Sequence, residues 1–440
     1  MGNNLCDELF AVKVFPSCNR PMPKTLLPSP NQRLRMLAHT RRLGGIMLPL
    51  GAAIGLAVAL ALRGLGSFEP WVGRVGGETH LTLVVPAIGL FLVTLWLSIT
   101  GIGEVSLFKD LDLAHRSPYE VFPFRKSIGK VLACAMTIGF GGSVGVEGPG
   151  KWFGSALGLQ FHRLIRAFSR RVPIARRLIA PASIMVRAGA ASALASVFRA
   201  PLSGALMAAE MDGRLHSEAL VPCLFSAAAG FMVFSGWMGM QPLLPISRTY
   251  TAHYSELYWA LLLGLTCGLL ASLYLWLKAR LRALLDPIPL HWRGLVAGIG
   301  LALLAMPSHF LWGGFPVTQG GGLELVAHLL RGDTLSQQAI LFLALKLLAT
   351  ALTLAGGGIG GIWLPSLAMG AAVGAAFDGW LGLGQPGYMT LVGGAAFVGA
   401  TNESILVPVV FLAETTAQAS LVVPALIATS VAYLITRERT

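Results

Sequence analysis

A glutamate flanked by glycines lies inside a long apolar stretch of this 440-residue chain. Glu147 stands in the segment Gly145-Val146-Glu147-Gly148-Pro149. Pro149 favours the first turn of a helix, whose free N–H groups and partial positive charge attract an anion, and the glycines let backbone amides turn toward a bound group. An ionised carboxylate costs about 2.5–3.5 kcal/mol in a membrane interior, so it must be compensated or protonated. We therefore expect Glu147 to act as a gate that competes with an anion for one site, closing a path when ionised and opening it when protonated or displaced.

Two more segments have the features of an anion-binding helix start. Gly361-Ile362-Trp363-Leu364-Pro365 repeats the Gly/Pro pattern, and Thr100-Gly101-Ile102-Gly103-Glu104 adds a hydroxyl donor. We expect the three helix starts to converge on one dehydrated anion, with amide and hydroxyl donors but no full positive charge. The simpler alternative is that Glu147 caps its own helix toward water, as acidic residues at helix starts often do. The candidate anion-binding residues are Thr100, Gly101, Gly145, Val146, Glu147, Gly148, Gly361, Ile362 and Trp363.

The composition places these segments in a membrane. Hydrophobic residues make up 55% of the chain and charged residues only 12%, and the mean hydropathy is +0.69, which excludes a soluble fold. The 53 glycines and 25 prolines lie largely within apolar runs, which indicates broken helices. We expect an all-α polytopic membrane protein with tilted and re-entrant helices, including a break near Gly361. Uncharged stretches occupy 46–62, 81–103, 131–146, 219–247, 257–277, 294–323, 347–377, 379–402 and 415–436.

An internal repeat divides the chain into two related halves. The pattern GxxxPxxxxGxxxG begins at Gly145 and again 216 residues later at Gly361. We predict a first membrane repeat at 43–250 and a second at 257–436, in inverted topology with the site at their interface. Residues 1–42 are predicted to form a basic cytoplasmic arm and 437–440 a cytoplasmic end. Two further features repeat in the same order, namely Gly101/Gly103 with Gly320/Gly322 and the apolar segments ending in Glu210 and Glu414.

The positive charge follows the expected loops. Lys and Arg number 33 against 20 Asp and Glu, which gives a net charge of +13. Basic residues cluster in 109–130, 163–177 and 278–293, and the first 42 residues lack the apolar core of a cleaved signal peptide. We therefore expect a multi-pass protein of the cell (inner) membrane with both chain ends cytoplasmic. The basic excess indicates topology and contact with the lipid bilayer, not nucleic-acid binding.

Neither a metal site nor a disulfide framework is expected. The chain has five cysteines, and Cys134, Cys223 and Cys267 lie in apolar stretches without metal-ligand spacing. Residues 141–145 fit the GxSxG pattern of serine hydrolases, with Ser143 as nucleophile. No His falls in 131–146 or 356–374 to act as its base. An intramembrane hydrolase is the alternative from another functional class, but we expect no enzyme activity and no cofactor.

Four of these segments resemble motifs of the CLC family of chloride channels and chloride/proton exchangers. GVEGP at 145–149 is similar to the family's GREGP, GIWLP at 361–365 to GIFxP, TGIGE at 100–104 to SGIPE, and FRAPLSGALMAAE at 198–210 to FNAPLxGxLFxxE. The resemblance runs from about residue 43 to 436. It implies a homodimer in which each subunit moves chloride or a similar small anion through its own pathway, formed by antiparallel halves.

The departures from the family's motifs bear on coupling to protons. Thr100 keeps the hydroxyl of the family's serine, whereas Gly103 and Val146 replace its proline and arginine. In the family's exchangers the last motif ends in two adjacent acids, of which the second relays protons; here the pair is Glu210 and Met211. A thioether carries no proton, so we predict uncoupled, channel-like conduction.

The alternative to uncoupled conduction is a chloride/proton antiporter that uses Glu210 or Asp212 as the relay. We regard a cap or a polar pair as the more natural role of Glu210 and of its counterpart Glu414. Only seven residues follow Tyr433. We therefore expect this chain to lack the family's last helix, which brings a tyrosine to the anion, and any regulatory nucleotide-binding tail.

Overall fold

A computed structural model describes residues 44–64, 84–102, 117–172, 179–211 and 215–437, except 245, 247, 252 and 383. Helices joined by short loops make up these ranges, which contain no β-strand beyond a single two-residue bridge. In chain order the helices are α1 (Gly44–Gly64), α2 (Val85–Thr100), α3 (Pro118–Val121), α4 (Phe124–Gly139), α5 (Glu147–Arg171), α6 (Ala182–Phe198), α7 (Pro201–Ala209), α8 (Ser217–Met238), α9 (Tyr254–Leu285), α10 (Leu290–Leu311), α11 (Leu323–Leu329), α12 (Ser336–Ala355), α13 (Trp363–Leu381), α14 (Tyr388–Thr401), α15 (Leu406–Thr416) and α16 (Val422–Arg437).

Several helices are long and apolar enough to cross a membrane. They are α1, α8, α9, α10, α12 and the segment Ala419–Arg437, of 19 to 32 residues each. At 1.5 Å per residue even the shortest of these approaches the roughly 30 Å of a bilayer core. The prediction of an all-α polytopic membrane protein is therefore confirmed.

Three further apolar helices, of 14 to 19 residues, are largely enclosed by the rest of the protein. All residues of α14 are buried, as are those of α6 from Met185 onward and those of α13 up to Ala376. A helix that begins or ends within a bilayer leaves backbone groups unpaired, which is tolerated where protein surrounds it. Enclosure by the longer helices is thus what permits broken helices at the centre.

The predicted break near Gly361 is confirmed. Helix α12 ends at Ala355 and α13 begins at Trp363, so the glycine-rich run 356–362 is not helical. Gly357 has a φ of 97°, a left-handed conformation that side chains disfavour. The corresponding loop of the first half connects α4 to α5, and there Gly141 has a φ of 86°.

Helices α6 and α7 were not among the uncharged stretches that the sequence analysis identified. Arg187 interrupts the apolar run of α6, yet this arginine is buried. Its guanidinium donates to the carbonyl oxygens of Ala208 (3.3 Å) and Ala209 (3.2 Å) at the end of α7. A cation at a helix C-terminus complements the unpaired carbonyls and the helix dipole, so the charge joins two buried helices.

Within each half, glycines bring two neighbouring helices into backbone contact, and the helix pairs are equivalent in the two halves. A Cβ atom at Gly154 in α5 would overlap the carbonyl of Gly189 in α6, and one at Gly370 in α13 would overlap the carbonyl of Gly393 in α14. Gly370 follows Gly154 by 216 residues and Gly393 follows Gly189 by 204. The same close packing therefore occurs in both halves of the chain.

Replacement of Gly370 by alanine should destabilise the fold. The added methyl group cannot fit against the α14 backbone without moving one helix, and overpacking costs about 1–3 kcal/mol. Thermal unfolding of the detergent-solubilised protein should show a lower Tm. Gly236 in α8 is the matched control because a Cβ there has nothing within 4 Å; Gly236→Ala should leave the Tm unchanged or raise it. Equal Tm values for both variants would contradict the packing argument.

Candidate functional site

The two GxxxP motifs meet at the centre of the protein. The amide of Gly145 donates to the carbonyl of Gly361 (2.9 Å), and the amide of Gly361 donates to the carbonyl of Gly145 (2.8 Å). The two residues are 216 positions apart, so each half of the chain supplies the same position of its motif. This reciprocal pair relates the two halves by an approximate two-fold axis.

Two threonines form a second reciprocal pair of hydrogen bonds between the halves. Thr353 Oγ1 accepts from the amide of Ser143 (3.0 Å), and Thr137 Oγ1 accepts from the amide of Ile359 (3.2 Å). Thr353 is 216 residues after Thr137, and Ile359 is 216 after Ser143. Each half therefore holds the loop of the other, which fixes the two following helix N-termini relative to one another.

Those helix N-termini are where Glu147 binds. Helix α5 begins at Glu147 and α13 at Trp363, again 216 residues apart. The Glu147 side chain is only 3% exposed, and its Oε1 accepts from the amides of Trp363 (2.7 Å) and Leu364 (3.2 Å). The carboxylate thus occupies the N-terminus of α13, the helix of the opposite half, where the dipole and free N–H groups favour a negative charge.

The carboxylate needs both motif glycines to lie there. A Cβ atom at Gly145 or at Gly361 would overlap the Glu147 carboxyl group. The second oxygen, Oε2, is buried and has no hydrogen-bond partner in the described part of the chain. The simpler alternative, a Glu147 that caps its own helix toward water, does not match a buried side chain bound to α13.

Of the predicted donors, Trp363 binds the Glu147 carboxylate and Ile362 does not. Ile362 and Val146 are the residues immediately before α13 and α5, and both are half-buried. The amide of Leu364 was not predicted. It could have been found from the repeat, because Leu364 follows Gly148 by 216 residues.

Two cavities flank this position. One of about 450 Å³, the glycine cavity, is lined by residues that include Gly145, Gly320 and Leu364. The other, of about 420 Å³, is lined by Trp363 and Tyr433 among others, and we call it the Tyr433 cavity. Leu364 faces the first and Trp363 the second, while their two amides hold the same oxygen of Glu147. Each cavity is thus lined by one of the two residues whose amides bind the carboxylate.

A buried lysine that the sequence analysis did not single out holds the wall of the glycine cavity. Lys346 in α12 is fully buried, and its Nζ donates to the carbonyls of Gln319 (2.8 Å) and Gly320 (2.8 Å), both of which line the cavity. Lys346 follows Lys130 by 216 residues, and the Lys130 ammonium lies 3.6 Å from the ring centre of Trp152. The repeat offset was the signal for both lysines.

Thr100 lies at the end of a helix. It is the last residue of α2 and is exposed, and its hydroxyl donates to the carbonyl of Trp96 (2.7 Å). Gly101 follows with a φ of 60°. The helix expected after this segment would begin beyond Ile102, where Gly103 and Glu104 lie outside the described residues. The structure records no contact between Thr100 and Glu147.

The equivalent glutamates Glu210 and Glu414 each contact the other half. Glu414 accepts from the amides of Leu202 (2.8 Å) and Ser203 (2.9 Å) and from the Ser203 hydroxyl (2.6 Å), at the start of α7. Glu210 accepts from the hydroxyl of Ser404 (2.9 Å), just before α15. Glu414 thus binds the N-terminus of α7, and Glu210 binds a side chain just before α15, so each glutamate contacts the opposite half.

One of the two candidate proton-relay residues lines the Tyr433 cavity. Glu210 and the buried Met211 both line it. Asp212, the other relay candidate, lies outside the described residues. The structure therefore brings one ionisable candidate to the same cavity as Trp363.

Ser143 lacks the surroundings of a nucleophile. Its hydroxyl is buried and pairs with the hydroxyl of Thr350 (2.9 Å), which is not a base. Cys134, Cys223 and Cys267 are buried free thiols. Within the described ranges, no group of His, Cys, Asp and Glu has the arrangement of a metal site.

Comparison with known proteins identifies the family. A family model described as voltage gated chloride channel matches residues 101–437. An uncharacterized protein of Methanocaldococcus jannaschii is 27% identical over 75% of this chain and 79% of its own length. The voltage-gated ClC-type chloride channel ClcB of Citrobacter koseri is 27% identical over 72% of this chain and 74% of its own length.

Solved structures share the fold. A slow cyanobacterial Cl⁻/H⁺ antiporter has a TM-score of 0.76 at 20% identity, covering 90% of this chain and 95% of its own. A CLC-type fluoride/proton antiporter has a TM-score of 0.70 at 21% identity, covering 92% and 96%. Because the family model matches most of its length, the chain belongs to the voltage-gated chloride channel (CLC) family.

Proposed function

We propose that this protein carries chloride or a similar small anion across a membrane through a path gated by Glu147. The observation that carries the proposal is the Glu147 carboxylate, bound by the amides of Trp363 and Leu364, two residues that each line a different cavity. A carboxylate that fills an anion-binding helix N-terminus leaves no room there for a transported anion. Family membership supports anion transport as the activity.

The gate works by competition for two N–H groups. Ionised Glu147 accepts both hydrogen bonds, each worth about 1.5–3 kcal/mol to a charged acceptor. A protonated carboxyl loses its charge and releases the amides, so that a chloride ion arriving from either cavity can take them. We expect the remaining predicted site residues, Gly101, Gly145, Val146, Gly148, Gly361 and Ile362, to border this anion.

Between uncoupled conduction and proton exchange we propose the former. Met211 carries no proton and lies in the Tyr433 cavity, at the position that is acidic in the exchangers. The alternative is a chloride/proton antiporter, supported by Glu210 in the same cavity and by the Cl⁻/H⁺ and F⁻/H⁺ antiporters that share the fold.

We further propose a homodimer with one path per subunit, in the cell (inner) membrane with both chain ends cytoplasmic. The basic clusters in 163–177 and 278–293 support this orientation through the positive-inside rule. The family's activity is ion transport, and we expect no catalysis and no cofactor.

Replacement of Glu147 by glutamine should abolish the pH dependence of anion flux while flux stays high. In the unaltered protein flux should rise as pH falls, because protonation of Glu147 opens the path; glutamine has no charge to titrate. Chloride efflux from reconstituted liposomes over a range of pH measures this. Glu218→Gln, at an exposed residue of α8, is the matched control and should retain the pH dependence. A folded Glu147→Gln protein without flux would contradict the gate.

Replacement of Thr100 should alter anion preference when the hydroxyl is lost. Thr100→Ala removes a donor worth about 1.5–3 kcal/mol to an anion, whereas Thr100→Ser keeps it. The hydroxyl has to rotate away from the Trp96 carbonyl to donate to an anion. Flux ratios of chloride to nitrate should change about tenfold in the Ala variant only. Thr266→Ala, which loses a similar bond to the Leu262 carbonyl, is the control. Equal ratios in all proteins would remove Thr100 from the site.

An imposed pH gradient should not drive anions uphill. Met211 offers no proton acceptor at the relay position, so the reversal potential should depend on the anion gradient alone. The test is a reversal-potential measurement across a step of roughly two pH units, which supplies about 2.7 kcal/mol per proton, at about 1.36 kcal/mol per unit. A reproducible shift toward a fixed anion-to-proton ratio would establish the antiporter and direct attention to Glu210 and Asp212.

A further inference from the structure

The loop before α11 lies between a buried lysine and the glycine cavity. Gln319, Gly320 and Gly321 line the cavity, whereas Lys346 of α12 is fully buried and is not one of its lining residues. The Lys346 ammonium donates to the carbonyls of Gln319 and Gly320, at 2.8 Å each. These two carbonyls therefore point toward the protein interior.

The peptide geometry turns the following amides the other way. The described peptide bonds are trans, so each C=O and the N–H of the next residue point in opposite directions. The Gly320 amide accordingly donates to the carbonyl of Gly142 (3.0 Å), in the glycine loop of the first half. The Gly321 amide likewise points away from Lys346, and it has no acceptor among the described residues. Because Gly321 lines the cavity, its free N–H faces that space.

Gly321 lies directly beside the residues that hold Glu147. A Cβ atom added to Gly321 would be 3.1 Å from the Cβ atom of Leu364 and 3.7 Å from the Cα atom of Gly145. Leu364 supplies one of the two amides that bind the carboxylate, and Gly145 lies against the carboxyl group. An anion at the Gly321 amide would therefore be next to the Glu147 site.

The buried ammonium strengthens the Gly321 donor. A carbonyl that accepts a hydrogen bond polarises its peptide group, and the N–H of the same peptide becomes a better donor. The lysine side chain also packs against the loop. A Cβ atom at Gly322, where φ is 85°, would be 3.0 Å from Lys346 Cε and 2.7 Å from Ala368 Cβ. Glycine at 322 thus leaves the space that Lys346 needs to reach both carbonyls.

We infer that the Gly321 amide, turned to the glycine cavity by Lys346, binds the transported anion one step before the Glu147 site. The inference rests on the proposed transport function and adds a second anion position with its own donor. Gly321 contacts the anion, whereas Lys346 is a positioning residue that does not touch it. With a water molecule occupying about 30 Å³, the cavity of about 450 Å³ has room for an anion and part of its hydration shell.

Bromide in crystals tests whether this position exists. Glu147→Gln crystals soaked in bromide should show two anomalous peaks, one at the Trp363 and Leu364 amides and a separate one at hydrogen-bonding distance from the Gly321 nitrogen. Adding Lys346→Met should remove the second peak, and adding Lys346→Arg, whose guanidinium also donates to carbonyls, should retain it. A single peak at Trp363 and Leu364 would overturn the inference and leave the proposed function intact.

Removal of the Gly321 N–H tests the role of this position in transport. Glycolic acid in place of Gly321 puts an ester oxygen where the N–H was and adds no side chain. Loss of one hydrogen bond should raise the half-saturating chloride concentration about three- to tenfold when chloride is added on the glycine-cavity side of a planar bilayer. Lys346→Met should cause a shift in the same direction, and Lys346→Arg should restore the unaltered value.

The matched control is glycolic acid at Gly313, an exposed glycine whose amide also has no acceptor among the described residues and which does not line the cavity. This control should leave the half-saturating concentration unchanged. Equal values for the Gly321 ester protein and the control, with normal flux in the unaltered protein, would overturn the inference. Absence of anion flux in the unaltered protein would instead overturn the proposed function.

Discussion

A carboxylate buried in a membrane protein must be met by hydrogen-bond donors, and Glu147 is met by the backbone of the opposite half of the chain. The amides of Trp363 and Leu364 supply two hydrogen bonds that stabilise the negative charge, and we propose that another anion can take its place there. The rest of the architecture follows from this need. A helix must start at the centre of the protein, long helices must enclose it, and a glycine must leave room on each side of the carboxylate.

The two halves achieve this by exchanging bonds. Gly145 and Gly361 pair directly, Thr137 and Thr353 each hold the other half's loop, and Glu210 and Glu414 each bind near the start of the other half's short helix. None of these contacts is local in sequence; the glycine and threonine contacts recur at an offset of 216 residues, and the two glutamates are 204 residues apart. The central loops are therefore fixed from both sides, which holds in place the amides that bind the Glu147 carboxylate.

Much of this could be predicted from the sequence because glycine and proline have few roles inside apolar segments. The repeat, the break before α13 and the importance of Glu147 all followed from that pattern. The sequence could not show that Glu147 binds α13 instead of its own helix, since the choice depends on how the halves pack. Buried charges were missed for a related reason: Arg187 and Lys346 look like interruptions or surface residues until their carbonyl partners are known.

The central claim is that a transported anion and the Glu147 carboxylate occupy the same two amides. The most direct measurement is anomalous scattering from bromide in crystals of the unaltered protein and of Glu147→Gln, both soaked in bromide at alkaline pH. The account predicts a bromide peak within hydrogen-bonding distance of the Trp363 and Leu364 amides in the variant, and the carboxylate at that place in the unaltered protein. Bromide at these amides together with the Glu147 carboxylate, or no bromide there in either crystal, would contradict it.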